Sequence, residues 1–384
     1  MSATATTHTP PTTHTTPTAA GHDVLDHFAG GAPDVTRLRG LRPELVGLEQ
    51  RAYDELFHPH SSPGTGVSAA ERAATALAVA VDHRRAPAVA HYRALLTEAA
   101  RDPGPADRIV ARAPLDGHAP PRTAAAVAHA RRLTRAPAEA RLDALRAAGF
   151  TDPQIVTLSQ AAAFAHHQMQ LAAGLQLLAT GESGTGTDPG APSATVAGGP
   201  QFTTGVLTWR PAVRPLAREE LTEAHRTALA GKRPDSPYFR TLGHDLGILA
   251  VRTAIDLAAF TAEGGLPRAE RELAATAVSL HSGCVYCVSV HARRAAQLHG
   301  DPEPLDRLLK YGSTAVLGRR WKLIVRLAAG LAPVPATAAD ADVQALRELG
   351  VSELALVDLV HCAAFFGWAN RLMLSLGTVD GEAG

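Results

Sequence analysis

The pattern of apolar and polar positions along the chain predicts helices in both halves. Residues 69–81 and 266–280 each place apolar side chains on one face, which is typical of a helix that packs on a core. Longer apolar runs follow at 151–178 and 352–376, and each begins with Ser or Thr, which favour helix N-caps. Pro267 stands where a first helical turn is expected. Alternating β-branched runs are scarce, so the sequence predicts an all-α protein.

The length of the chain and its low-complexity segments predict two domains. A chain of 384 residues exceeds one ordinary domain. Residues 181–200 are almost entirely Gly, Ser, Thr, Pro and Ala, a composition typical of a flexible linker. Residues 1–20 are rich in Thr and Pro and lack the basic and apolar regions of a secretory signal, so we expect a disordered tail. Domains are therefore predicted at 21–180 and 201–384.

The two predicted domains resemble each other in sequence. Residues 144–164 align without gaps on 345–365, with nine of 21 positions identical. Upstream, 67–81 aligns on 266–280 at nearly the same offset, and both segments carry a Glu-Arg pair. Two matches in the same order predict two tandem helical domains that arose by internal duplication.

Composition and charge narrow the classes of function. The chain has 37 basic and 37 acidic residues, so its formal net charge of zero gives no sign of nucleic-acid or anionic-membrane binding. No apolar run approaches the roughly 20 residues that span a bilayer. Only three cysteines occur, and two of them form one CxxC motif. This is no disulfide framework, and we expect a cytoplasmic protein whose cysteine pair is redox-active or metal-binding.

The candidate chemistry lies at Cys284-Val285-Tyr286-Cys287. Two cysteines three apart at the start of a helix share one face, and a helix break before them would place Cys284 near a helix N-terminus that stabilises a thiolate. His291 lies on the same face, where it can take up the proton of a thiol. Glu272, on the preceding helix, could return across the hairpin to orient His291. These residues form the candidate catalytic site.

Other interpretations of these residues stay open at this stage. With His281 and His291 the cysteines could complete a zinc site, although no second CxxC occurs. The two cysteines could instead be buried and inert. Cys362 is expected to be a small core residue, and the remaining histidines on apolar helices are more typical of satisfied core positions than of ligands; these are His166, His167 and His361.

The first domain lacks the dithiol. The stretch that matches the cysteines, residues 82–87, contains no thiol, and Ala73 falls opposite Glu272. After a one-residue gap, His91 alone falls on its counterpart, His291. We therefore expect the first domain to have a structural or substrate-shaping role.

The segment LPRAERELAATAVSLHSGCVYCVSVHARRA resembles the core motif of the alkylhydroperoxidase D-like proteins of the carboxymuconolactone decarboxylase superfamily. That motif is a Glu, eleven residues, CxxC, three residues and a His, and Glu272, Cys284, Cys287 and His291 fit it. The later Asn370-Arg371 helix is similar to that of the peroxidase-related members. The resemblance covers most of 201–384, and the first domain looks like a degenerate copy. One departure is Tyr286, where mycobacterial-type enzymes have His.

The resemblance implies thiol-dependent reduction of hydroperoxides, with Cys287 as peroxidatic thiol, Cys284 as resolving thiol, and His291 and Glu272 as proton relay. The cycle requires no haem, flavin or metal, and its partners are a hydroperoxide and an external thiol reductant. The resemblance also implies a trimer or hexamer. Two rival hypotheses are a carboxymuconolactone decarboxylase-type lyase, which would need no dithiol, and a non-enzymatic redox-sensing or assembly module.

Overall fold

Helices make up almost all regular structure in the computed structural model, which describes residues 23–58, 65–182 and 201–379. The all-α prediction is confirmed for these ranges. The predicted tail at 1–20 lies outside them, and so does the predicted linker except for residues 181 and 182. The domain boundaries stay a prediction.

The helices of the first half run from residue 24 to residue 180. Their bounds are α1 Val24–Phe28, α2 Pro33–Arg39, α3 Pro43–Phe57, α4 Ala69–Asp82, α5 Ala86–Ala100, α6 Gly104–Val110, α7 Pro121–Arg135, α8 Asp143–Ala147 and α9 Asp152–Thr180, with a 3-10 turn at Pro137–Glu139.

The helices of the second half run from residue 223 to residue 375. Their bounds are α10 Glu223–Ala228, α11 Pro237–Leu242, α12 Leu246–Thr261, α13 Arg268–Ser282, α14 Val285–His299, α15 Glu303–Tyr311, α16 Arg319–Leu331, α17 Asp340–Glu348 and α18 Glu353–Ser375, with 3-10 turns at Arg218–Glu220 and Gly312–Thr314.

Two short strands, which the sequence pattern did not predict, join the ends of the second half. β1 Trp209–Pro211 pairs antiparallel with β2 Gly377–Val379, and Trp209 lies opposite Val379. The Trp209 indole donates to the carbonyl of Met373, which ties the strand to α18. The pair therefore holds the segment before α10 against the end of the last helix.

The helix starts follow from capping residues. Ser68 and Glu71 form a reciprocal capping box at α4, and Ser352 accepts a hydrogen bond from the backbone N–H of Ala355 at α18. Pro267 is the N-cap of α13, with φ −54° and ψ 143°, so that helix begins one residue later than a first-turn proline would place it. The expectation for Pro267 was wrong by this one position.

A matched arginine makes the same kind of contact in both halves. Arg72 donates to the carbonyls of Val67 and Leu56, at 3.2 and 3.0 Å. Arg271 donates to the carbonyls of Leu266 and Ala259, at 2.7 and 2.8 Å. Each arginine thus joins its own helix to the end of the helix before it. The internal duplication itself stays a prediction.

The two halves pack directly against each other through α9 and α18, and side chains of both contribute to one buried apolar cluster. Glycines allow the close approach: a Cβ on Gly174 would lie 2.5 Å from Val360, and one on Gly367 would overlap Gln170. A partly buried ion pair at 2.7 Å, between Arg42 at the start of α3 and Asp358 in α18, also joins the halves. The second half therefore folds against the first.

Candidate active site

A helical hairpin presents the two cysteines. Gly283 ends α13 with φ 71°, a left-handed conformation that glycine adopts without strain, and Cys284 is the N-cap of α14. The backbone N–H of Cys284 donates to the carbonyl of Ser279, which fixes the turn. Cys287 follows in the first turn of α14. The sequence Ser-Gly-Cys therefore places both sulfurs at a helix N-terminus.

The two thiols lie side by side and are buried. Their Sγ atoms are 2.7 Å apart, whereas a disulfide bond is about 2.05 Å long, and both cysteines are free. Cys284 is 1% and Cys287 4% exposed. The redox-active disulfide that the resemblance implies is therefore not formed in the structure.

Glu272 and His291 contact each other across the hairpin. Nδ1 of His291 lies 2.5 Å from Oε2 of Glu272. The other carboxylate oxygen accepts a hydrogen bond from Nε of Arg268 at 2.7 Å and forms an ion pair with its Nη2 at 2.6 Å. Because an ionised carboxylate only accepts, His291 carries its proton on Nδ1 when neutral, which leaves Nε2 able to accept a proton. The structure brings together the four residues that the motif singled out, while their catalytic roles stay a prediction.

Burial and partners shift the pKa values in opposite directions at the two ends of the site. Burial alone would raise the pKa of Glu272, but His291 and Arg268 outweigh it and hold this pKa below 4.5. Burial raises the pKa of the Cys287 thiol well above its usual range, and neighbouring Cys284 raises it further. The charge of Arg252 acts on Cys287 in the opposite direction. Glu272 is therefore ionised at neutral pH, whereas Cys287 needs a base.

A cavity of about 460 Å³ opens on one side of the dithiol. Cys287 and His291 line it, whereas Cys284 and Glu272 are not among the lining residues. One wall is aromatic, and the Phe366 ring meets the imidazole of His291 edge-on with centroids 4.2 Å apart. A small molecule in the cavity therefore meets Cys287 before Cys284.

Tyr286 and Tyr238 also line this cavity. Tyr286 is partly buried, and burial together with Cys287 raises its pKa. Burial likewise raises the pKa of Tyr238 above its usual value, although Arg252 opposes the shift. Both phenols therefore stay protonated at neutral pH and can donate hydrogen bonds to a bound molecule.

The other candidates from the sequence lie away from this cavity. Cys362 is fully buried in α18, as expected of a core residue. In the first half, His91 Nε2 lies 2.7 Å from the hydroxyl of Tyr53, with no thiol beside it. The buried histidines of α9 have protein partners: His166 pairs with His83 at 2.8 Å, and His167 with Glu49 at 2.9 Å. Burial lowers the pKa of His361, also buried, to about 3.

Neither a metal cluster nor a membrane span is found in the described part of the chain. In the ranges 23–58, 65–182 and 201–379, no group of three or more His, Cys, Asp or Glu could hold a metal ion. His281, the second imidazole of the zinc alternative, lines a different cavity from His291. Among the same residues, no helix is long and apolar enough to cross a membrane.

Comparison with known proteins assigns the segment that carries the site. Residues 247–329 match the family model described as "Carboxymuconolactone decarboxylase family". This segment belongs to that family. It contains all four residues of the motif, so the carboxymuconolactone decarboxylase superfamily predicted from the sequence is confirmed for this part of the second half.

Two further comparisons add little to the family assignment. A crystal structure of an uncharacterized peroxidase-related protein from Silicibacter sp. TM1040 is 26% identical over 37% of this chain and 75% of that one, with a TM-score of 0.34. This superposition is too loose to bear on fold or function. No curated protein matches the chain.

Several residues of the site were missed by sequence analysis. Arg268 lies four residues before Glu272 on the same helix, a spacing that predicts an ion pair and could have revealed it. Arg252 is the one basic residue of α12, an otherwise largely apolar helix. A lone charge in such a helix indicates a buried group that takes part in a site. Phe260 and Phe366 could not have been found, because apolar side chains that line a cavity have the same pattern as those that fill a core.

Proposed function

We propose that the protein is a thiol-dependent peroxidase that reduces organic hydroperoxides with the dithiol of Cys284 and Cys287. One observation carries the proposal: Cys287 lines a cavity together with His291, and Cys284 lies directly behind it at 2.7 Å. A peroxide in the cavity would meet one thiol while the second stands ready to resolve the product. The confirmed family assignment supports this function without distinguishing it from a lyase.

The first step transfers one oxygen atom. His291 takes the proton of Cys287, and the thiolate attacks the terminal oxygen of the hydroperoxide. The O–O bond breaks, Cys287 becomes a sulfenic acid, and the alkoxide receives the proton from His291 and leaves as an alcohol. Glu272 holds the imidazole in position and stabilises the imidazolium while it carries that proton.

The second step forms the disulfide and the third restores the dithiol. Cys284 attacks the sulfenic sulfur of Cys287, the S–S bond forms, and water leaves. The Sγ atoms need to approach by about 0.65 Å, from 2.7 Å to about 2.05 Å. An external thiol reductant then supplies two electrons and two protons by thiol–disulfide exchange. A reducing compartment such as the cytoplasm suits this cycle.

The decisive experiment counts thiols and peroxide together. We expect reduced protein to lose two thiols and to consume one equivalent of cumene hydroperoxide in a single turnover without reductant. Cys287→Ser should consume none, and Cys284→Ser should form the sulfenic acid without the disulfide. Cys362→Ala is the matched control, because this third cysteine lies in the core and should leave turnover unchanged. Peroxide consumption by Cys287→Ser at the wild-type rate would end the proposal.

A lyase is the second candidate, because the matched family is a decarboxylase family and the His291–Glu272 pair alone could perform acid–base chemistry. Such an enzyme needs no dithiol. Alkylation of Cys287 with a small reagent should abolish peroxidase activity, whereas a lyase acting through His291 should survive conversion of both cysteines to Ser.

A redox-sensing module remains a rival hypothesis, and a trimeric or hexameric assembly remains a proposal from the resemblance. Sedimentation of the reduced and the oxidised protein tests both at once. A change of mass on oxidation would favour the sensor, whereas one mass in both states would support an enzyme whose assembly is independent of the dithiol.

A further inference from the structure

A buried arginine lies in the wall of the dithiol cavity without an acidic partner. Arg252, in α12, is 2% exposed and lines the cavity together with Cys287. Its Nη2 reaches the hydroxyl of Tyr238 at 3.3 Å, while its buried Nε has no hydrogen-bond partner. Its guanidinium lies 4.9 Å from the ring centroid of Phe365. Within the described ranges, no carboxylate forms an ion pair with Arg252.

A buried charge with this environment is incompletely compensated. Aromatic faces attract a guanidinium, but they replace only part of the hydration that burial removes. Buried charges are ordinarily paired with an opposite charge or used to bind a ligand. The partner of Arg252 is therefore expected from outside the described residues, and a bound anion would supply it.

The other charged residues of the cavity also leave it with an excess of positive charge. Lys232 is neutralised by Asp256 at 2.6 Å, and Arg268 is neutralised by Glu272. Arg293 donates only to backbone carbonyls, at 2.7 and 2.8 Å. In the part of the chain that the structure describes, Arg233, which also lines the cavity, has no ion pair. The unpaired charges of this cavity are thus all positive.

Apolar side chains form another part of the lining and complete an amphipathic site. They include Phe260, Phe365, Phe366, Ala369 and Met373. A pocket with cationic groups on one side and aromatic rings on the other suits a ligand with an anionic head and an apolar body.

We propose that the cavity binds organic acids, and that the hydroperoxide reduced at Cys287 carries a carboxylate that pairs with Arg252. This inference rests on the proposed peroxidase function for the reaction, while the binding of the acid can be tested without it. The carboxylate contacts the guanidinium of Arg252, the apolar body lies on Phe260 and Phe366, and the peroxide reaches the sulfur of Cys287. Arg252 is a substrate-binding residue in this scheme.

Binding is tested first, with probes that carry no peroxide. We expect calorimetric titration of the reduced protein to show decanoate binding at least tenfold tighter than decanol. Arg252→Met should abolish this preference, and Arg252→Lys, which keeps the charge, should retain part of it. Arg294→Met is the matched control, because it removes an exposed arginine from α14 and should leave the preference intact. Equal binding of acid and alcohol by the wild type would overturn the proposal, even if Arg252→Met failed to fold.

Kinetics then separate binding from an effect on the thiol, since the charge of Arg252 also acts on Cys287. A hydroperoxy fatty acid and its methyl ester differ in the negative charge and in one methyl group. We expect Arg252→Met to raise KM at least tenfold for the acid and to leave the ester unchanged. An equal loss for both, with a shifted pH profile of thiol alkylation, would assign Arg252 to the thiol and overturn the substrate class.

The two proposals fail in different ways. If no hydroperoxide is consumed but the wild type still prefers decanoate to decanol, the peroxidase function is wrong and the organic-acid site stands. If peroxides are consumed and acid and ester react alike, the peroxidase stands and the organic-acid site is wrong.

Discussion

His291 shares a hydrogen bond of 2.5 Å with Glu272, across the hairpin that α13 and α14 form. The same carboxylate is held on its other oxygen by Arg268, so the imidazole is oriented by a group that is itself fixed. A histidine whose Nδ1 is held in this way presents Nε2 as its base. The relationship explains why a Glu twelve residues before Cys284 and a His four residues after Cys287 belong to one site.

The charge of Glu272 should be required for turnover. We expect Glu272→Gln to lower kcat/KM for cumene hydroperoxide by roughly 10- to 100-fold, because the amide keeps the size of the side chain but cannot stabilise the imidazolium. Steady-state assays with an excess of dithiol reductant measure this. The control is Glu270→Gln, which removes a buried carboxylate from the same helix; its partner is Arg320, away from the cavity. Equal losses in both variants would indicate a general effect on α13.

The same carboxylate predicts how stability depends on pH. Its pKa is below 4.5 in the folded protein, so its stabilising contribution is fully present above that pH and is lost as the pH falls through the folded value. Wild type should therefore exceed Glu272→Gln in free energy of unfolding by roughly 1–3 kcal/mol at pH 7, and by less at pH 3. Urea denaturation at the two pH values tests this, and a constant difference would contradict it.

The raised pKa of Cys287 predicts a slow, pH-dependent alkylation. We expect the rate of iodoacetamide labelling at Cys287, followed by mass spectrometry, to rise continuously up to pH 9, because burial and Cys284 both disfavour the thiolate. In Cys284→Ala the contribution of the neighbouring thiol is gone, so the midpoint should move to lower pH. The core residue Cys362 should stay unlabelled in the native protein. A plateau below pH 8 in the wild type would show that the thiolate is already formed.

Local sequence signals predicted much of the helical framework. The amphipathic run at 69–81 appears as α4 Ala69–Asp82, and the capped run at 151–178 as α9 Asp152–Thr180. These succeed because capping and periodicity act over a few residues. The CxxC motif and its His and Glu were also found, since all four lie within one hairpin of 20 residues.

Features that depend on long-range packing could not be predicted from the sequence. β1 pairs with β2 across more than 160 residues, and strands of three residues give no periodic signal. The cavity is lined from five separate helices, α11, α12, α13, α14 and α18, among other segments. Arg252 can be recognised as part of the site only from its tertiary contacts with Phe365 and Cys287. Contacts of this kind depend on how helices dock, which a single sequence does not encode at any fixed spacing.

The buried carboxylate of Asp358 should be the most sensitive position outside the site. It is 1% exposed and accepts hydrogen bonds from Arg271, Arg42 and the backbone N–H of Leu266. It therefore fixes the start of α13, on which Glu272 stands, and joins the two halves of the chain. Removing its charge would leave the buried guanidinium of Arg271 and the partly buried guanidinium of Arg42 without their counterion.

We expect Asp358→Asn to lower the free energy of unfolding by about 3–5 kcal/mol, because breaking a buried ion pair on one side leaves an uncompensated charge. Asp116→Asn, at an exposed position, is the control and should change stability by less than about 0.5 kcal/mol. Urea denaturation at pH 7 measures both. Since Asp358 does not line the cavity, the KM of folded Asp358→Asn for a hydroperoxide should equal that of the wild type. A loss of stability no larger than that of the control would show that Arg271 and Arg42 are satisfied without it.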